Sequence, residues 1–413
     1  MVPVQFLGLL LIGAAAFLIL WGEGLLKSKP ALFLSSAVIL TAMVLRALCM
    51  EHETLDYQNF LQGWVQFFRD KGGWSALRYS VGNYNVPYLY FLALFSYLPV
   101  WDLYLIKLLS VAFDVLLAWG ALHIVKHFSQ TFTARLAAFY LTLLLPTVLL
   151  NGAYWGQCDS IYAAFGLWSL AFALEERGVM AMAAAALSFA FKLQAVFLLP
   201  VFLLFLIARK LQWYHLPVFP LTYALTVLPA VLAGRPPLDT LLLYASQTGS
   251  IGSGLNYNSP SVFAFPLPAL DPERLSMLGI GAAFALVALL SLFCLVQRDR
   301  LSDRSLLTCA LLLSLGIPFL LPHMHDRYFF LADVLSLVLA ITEPRLLLAP
   351  LGVSFASLLG YHAYLQGRYL LPMSYGAAAL CGAMLLLLVY LPLTLEPRYG
   401  GGRARRGKRR QGR

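Results

Sequence analysis

Apolar residues in this chain do not alternate with polar ones. They come in long unbroken blocks separated by short polar stretches. Clear blocks cover 4–21, 31–50, 103–124, 135–151 and 371–392, and others cover 160–175, 178–191, 194–208, 215–233, 276–296, 305–321, 328–342 and 346–362. A helix needs about 20 apolar residues to cross roughly 30 Å of hydrocarbon. Only helices and closed barrels satisfy their backbone there, and the ten-residue alternating strands of a barrel are absent. The pattern predicts an all-α polytopic membrane protein with about thirteen transmembrane helices.

One more apolar block, 85–100, is short, with Pro87 near its start and Pro99 at its end. If it crossed, Lys126 and Arg135 would lie outside and every later loop would be inverted with them. It is expected instead as an interfacial helix at 86–100, rich in Tyr and Phe, inside a first outer loop at 51–102. The first apolar block does not read as a cleaved leader, because Met1 to Gln5 holds no Lys or Arg.

Charge fixes orientation. The chain of 413 residues is 61% hydrophobic and 12% charged, about half the charged fraction of a soluble domain. With the N-terminus outside and thirteen crossings, the loop cations share one side, which the positive-inside rule makes cytoplasmic. They are Lys27, Lys29, Lys126, Arg135, Arg177, Arg209, Lys210, Arg298, Arg300, Arg304 and Arg345. Residues 1–397 then form a single transmembrane domain and 398–413 a basic cytoplasmic tail touching anionic membrane lipids. That tail holds much of the net charge of +10, so nucleic acid is excluded as a partner. The compact loops point to the plasma membrane of a prokaryotic cell. Five scattered cysteines without a CxxC pair argue against a disulfide framework or a zinc site. A bridge between Cys49 and Cys158 stays open.

The loops expected outside hold the unusual polar residues. Glu51-His-Glu53-Thr-Leu-Asp56-Tyr57 leaves a span. Asp56 there is either a general base on a hydroxyl or the cap of an interfacial helix. Asn151-Gly-Ala-Tyr-Trp155-Gly-Gln157-Cys-Asp159-Ser160 interrupts two apolar blocks, and a carboxylate at that depth is a functional candidate. Phe191-Lys192-Leu-Gln194 places a cation against the charge rule, so Lys192 either has an anionic partner, Asp159 or a lipid phosphate, or snorkels. Pro322-His323-Met-His325-Asp326-Arg327-Tyr328 is the densest polar cluster and is expected at the outer end of a helix. Histidine and arginine suit a phosphate. A divalent metal is possible, although His323 and His325 would point apart on a helix. Lys107, Asp114 and Asp333 lie within spans, where an intramembrane structural contact is the favoured role.

Taken in order, Lys107-Leu-Leu-Ser-Val-Ala-Phe-Asp114, Tyr154-Trp-Gly-Gln-Cys-Asp-Ser160, Phe191-Lys-Leu-Gln194 and His323-Met-His-Asp-Arg-Tyr-Phe-Phe330 resemble the GT-C superfamily of polyprenyl-phosphate-sugar-dependent glycosyltransferases. The likeness is nearest to prokaryotic membrane proteins related to the PIG-V mannosyltransferase of GPI-anchor assembly. It departs in an extra span before the first outer loop and in the lack of a clean Asp-x-Asp or Asp-x-Glu motif. The resemblance implies an inverting hexosyltransferase, mannose favoured, working outside the membrane from an isoprenoid-phosphate donor to a lipid or glycan acceptor. Asp56 would be the catalytic base, with Asp159 the alternative. His325, Arg327 and Lys192 would face the leaving phosphate. Glu53, Tyr57, Trp155, Gln157, Ser160, Gln194, His323, Asp326 and Tyr328 would contact substrate. Two rivals remain: a transporter or flippase of a lipid-linked sugar, and a non-catalytic assembly subunit.

Overall fold

A computed structural model of the chain describes residues 3–246, 254–266, 268 and 270–397. The basic tail 398–413 lies outside the described residues. Helices α1 (Val4–Gly22) and α2 (Lys29–Ala47) form a peripheral hairpin against α5 (Asp102–Phe128). Ser28 starts α2 by accepting the Ala31 N–H at 3.3 Å, the side-chain capping that orphan amides require. Between α2 and α5 lie α3 (Gln62–Asp70) and α4 (Val86–Phe95). At ten residues α4 is about 15 Å long, half the hydrocarbon thickness. Its start is set by Asn85, whose side chain caps Val86, with Pro87 in the first turn.

The chain then folds through α6 (Phe132–Leu144), α7 (Pro146–Leu149), α8 (Asp159–Leu174), α9 (Gly178–Phe191), α10 (Val201–Ile207) and α11 (Val218–Leu232). Short helices α12 (Pro237–Leu241) and α13 (Leu243–Ser246) precede α14 (Pro272–Val296), α15 (Asp303–Leu320), α16 (Phe330–Thr342), α17 (Leu348–Gln366) and α18 (Met373–Tyr390). Pro146 lacks an N–H and breaks the path between α6 and α7, which bends there by 44°.

Among the described residues, eight helices are long and apolar enough to cross a membrane, or nine if the bent pair at Pro146 is one span. The chain is therefore all-α and multi-pass. Four of the apolar blocks make shorter helices: α8, α9, the segment Leu193–Ile207 and α16. Each is cut short at one end by the polar segments around Gln157, Lys192 or Arg327. The outer helices expose apolar side chains such as Phe33, Leu40, Phe284, Leu292, Leu385 and Val389, the surface lipid requires. By contrast α15 is 83% buried and forms the centre. All five cysteines are free, so Cys49 and Cys158 are not bridged.

One end of the bundle is laced by ion pairs. Glu23, after α1, takes Lys126 at 2.8 Å, His123 at 2.9 Å and Arg135 at 3.3 Å. His123 also approaches Glu175 at 4.0 Å. Asp303, the first residue of α15, takes Lys210 and His127, each at 2.7 Å, and Arg304 meets Glu343 at 3.3 Å. The loops after α1, α5, α8, α10, α14 and α16 thus share one face, and these include most of the basic loops.

Candidate functional site

At the opposite end, four segments are brought together by local chain chemistry. Residues 150–155 make a wide helical turn that Gly156 ends at φ 82°, a conformation that suits glycine. This aims Gln157 inward and lets Asp159 open α8. The loop 51–56 is pinned from two sides. Thr54 donates to the Trp155 carbonyl at 2.8 Å, and Lys107 Nζ donates to the carbonyls of Cys49 at 2.8 Å and His52 at 2.6 Å. Lys192 sits in extended backbone where α9 stops. Residues 322–328 lie at the end of α15, as expected, but in extended backbone rather than as helix: Met324–His325 (β2) pairs in parallel with Asn256–Tyr257 (β1). Gly360 on α17 admits this pair, since a Cβ there would stand 3.0 Å from the carbonyl oxygens of Asn258 and Asp326.

These segments close on a cavity of about 330 Å³ lined by Asp56, Lys192, Gln194, His325, Arg327 and Tyr328, with an aromatic wall that includes Tyr84, Tyr244 and Tyr364. Asp56 is held by three donors: Trp155 Nε1 at 2.8 Å and Gln157 Nε2 at 2.5 Å on one oxygen, and Tyr364 Oη at 2.6 Å on the other. Its side chain stays 16% exposed, so the carboxylate is fixed yet reachable. Asp159 is 1% exposed and lies behind the wall. It accepts from Lys192 Nζ at 2.5 Å and from Asn151 Nδ2 at 2.7 Å. Lys192 therefore has the anionic partner Asp159.

Arg327 is the unusual group. Its guanidinium stands 3.8 Å from each of Asp56, Asp159 and Asp326, beyond hydrogen-bond length. Nε has no hydrogen-bond partner, and the group lies over the Trp155 ring at 5.4 Å. Burial works against its charge, but Tyr84 and these three carboxylates outweigh it and hold its pKa well above the usual value. Burial, helped by the Arg327 charge, pushes His325 down to about 4, so it is a neutral imidazole at neutral pH. Its ring stacks on Tyr257 at 4.8 Å. Burial pushes Asp326 up to about 7, with Arg327 opposing and Asp56 and Asp159 reinforcing. Such a cluster offers an anion two fixed cations beside a fixed carboxylate.

Other expected contact residues lie elsewhere. Tyr57 is buried, donating to Asp102 at 3.2 Å and accepting from Trp101 at 2.9 Å. Ser160 donates to Asp114, the partner of Arg46. Glu53 is exposed and accepts from Gln58 at 3.0 Å. His323 adopts φ 62° and turns away, bonding the Gly254 carbonyl at 2.7 Å, so it does not join His325. Among the described residues no three His, Cys, Asp or Glu side chains are grouped to hold a metal ion. No signal in the sequence singles out Tyr84, Tyr361 or Tyr364. Sequence reasoning passed over Arg46, the lone cation of its apolar block, which grips Asp114 at 2.8 Å. The chain matches no protein-family model and no curated protein.

Proposed function

We propose that this chain is an inverting membrane hexosyltransferase of the GT-C type, moving a hexose, mannose favoured, from an isoprenoid phosphate to a lipid or glycan acceptor. The observation that carries this reading is the cavity at one end of the bundle. There Asp56, held by Trp155, Gln157 and Tyr364, faces Arg327, whose Nε has no bonded partner. A transferase of this kind needs a base for the acceptor hydroxyl and a cation for the leaving phosphate, and little else.

The acceptor oxygen attacks the anomeric carbon from the face opposite the phosphate. The carbon–oxygen bond to phosphate breaks, and its electron pair leaves on the phosphate oxygen. The hydroxyl proton passes to Asp56. Arg327 and Lys192 hold the phosphate, and neutral His325 donates an N–H to it. Asp159 positions Lys192. Orientation follows from the two ends: with the ion-paired basic loops cytoplasmic, the cavity opens outside the plasma membrane. The chain then crosses thirteen times, the four short helices included, and α4 lies in the interface.

The test uses the purified full-length protein with polyprenyl-phosphate hexoses and a membrane-lipid acceptor fraction. Transfer of labelled hexose to the acceptor is expected. Movement of the intact lipid-linked sugar across vesicles without transfer would replace this reading with a flippase.

A further inference from the structure

Among the described residues, five carboxylates are buried, and four of them meet a cation. Asp102 meets Arg69, Asp114 meets Arg46, Asp159 meets Lys192, and Asp326 meets Arg327. Asp333, in the first turn of α16, is fully buried and has no ion pair. Neither of its oxygens has a hydrogen-bond partner. The hydroxyls of Ser357 on α17 and Thr147 on α7 approach it and favour its charged form, but neither closes to a well-formed hydrogen bond. Both of those hydroxyl oxygens are also buried and unpaired. Four buried oxygens from three elements, none with a well-formed hydrogen bond, therefore converge on one point away from any cation. Tyr361, which accepts from Asn151 at 3.1 Å, lies within the field of both Asp159 and Asp333.

A lone buried carboxylate among hydroxyls lacks one positive charge. The donor set is all oxygen, which suits a hard cation. A single carboxylate balances one charge, which favours a monovalent ion over a divalent one. Thr147 follows the break at Pro146, and interrupted helices are where membrane proteins bind such ions. We propose that Asp333, Thr147 and Ser357 bind one sodium-sized monovalent cation, with water completing its shell. This site is independent of the transferase reading.

The test is the thermal midpoint of the purified full-length protein in detergent, titrated with sodium chloride against choline chloride at constant ionic strength. A saturable rise with sodium alone is expected. Thr147→Val and Ser357→Ala should each weaken the apparent sodium affinity about tenfold, and Asp333→Asn should abolish the response. Superimposed sodium and choline curves would overturn the site, since the carboxyl would then carry a proton instead. A sodium response undiminished in Asp333→Asn would overturn it equally. If Asp333→Asn does not fold, the two hydroxyl variants decide, and unchanged sodium affinity in both refutes it.

Discussion

The two ends of this bundle hold similar side chains in different ways. At one end Glu23 and Asp303 gather lysines and histidines at 2.7–2.9 Å. At the other, Arg327 stands 3.8 Å from three carboxylates and makes a close pair with none of them. Close pairing satisfies charge and fastens loops together. Arg327 is instead surrounded by negative charge while its Nε stays unbonded. One end thus uses its charges for short contacts, and the other keeps a cation at 3.8 Å from each carboxylate.

The largest expected effect tests the cavity end. Asp56→Asn keeps the shape of the carboxylate but accepts no proton. It should lower turnover by about 10²–10⁴, the usual worth of general acid–base help, and leave the thermal midpoint near that of the parent. Near-normal turnover with saturating donor would remove Asp56 as the base.

Next comes pH. Asp326 sits at about 7 in the folded chain, against about 4 for an ordinary carboxyl. The folded state holds the extra proton between those values, so this group's contribution to stability falls as pH rises through them. His325 sits at about 4, below its ordinary value of about 6.5. There the unfolded state holds the extra proton, and stability rises with pH. The two slopes oppose each other. Asp326→Asn should unmask a rise of about 3 kcal/mol between pH 4 and 6.5, and His325→Gln a comparable fall. Denaturation at a series of pH values reads both, and three parallel curves would refute the pair.

A smaller effect separates binding from turnover. Arg327→Ala should weaken donor affinity by about one to two powers of ten, as a charge-assisted contact contributes roughly 1.5–3 kcal/mol. Titration of a fluorescent polyprenyl phosphate checks this, and unchanged affinity removes Arg327 as the phosphate cation.

The smallest concerns the other end. Burial alone would raise the Glu23 carboxyl, but hydrogen bonds from Lys126 and Trp119 and the charge of His123 bring it down to about 2. Its stabilisation is present at neutral pH and fades as pH falls from about 4.5 toward 2. Glu23→Gln should cost about 2 kcal/mol of stability at pH 7 and leave turnover unchanged. Comparable losses of turnover in Glu23→Gln and Asp56→Asn would erase the distinction between the ends.

Most of the fold was legible because lipid imposes one rule on long apolar blocks. The short helices were not, because a block's length does not reveal where Gln157, Lys192 or Arg327 ends the helix early. In the cavity, Asp56, Lys192 and Arg327 stood out as charges at odds with their surroundings. Tyr364 did not, since a tyrosine at the end of a span already has a reason to be there. Helical geometry predicts that His323 and His325 point apart. The chain is extended at His325 and left-handed at His323, so their divergence has a different cause. Arg46 was legible in principle, as one cation in an apolar run needs an anion, and Asp114 is that anion.

The hydrogen bond from Tyr364 to Asp56 joins residues 308 positions apart. A ribosome adding about 5–20 residues per second makes Asp56 roughly 15 to 60 seconds before Tyr364. The early spans must therefore wait in the bilayer with the centre of the bundle unfilled, because α15 and α16 are also made late. The last-made side chain of the cavity wall is Tyr364, so the wall is complete only once α17 is in place. A nascent chain stalled before that helix carries Asp56, Lys192 and Arg327 but not the finished pocket. The hold on Asp56 is thus completed only late in synthesis.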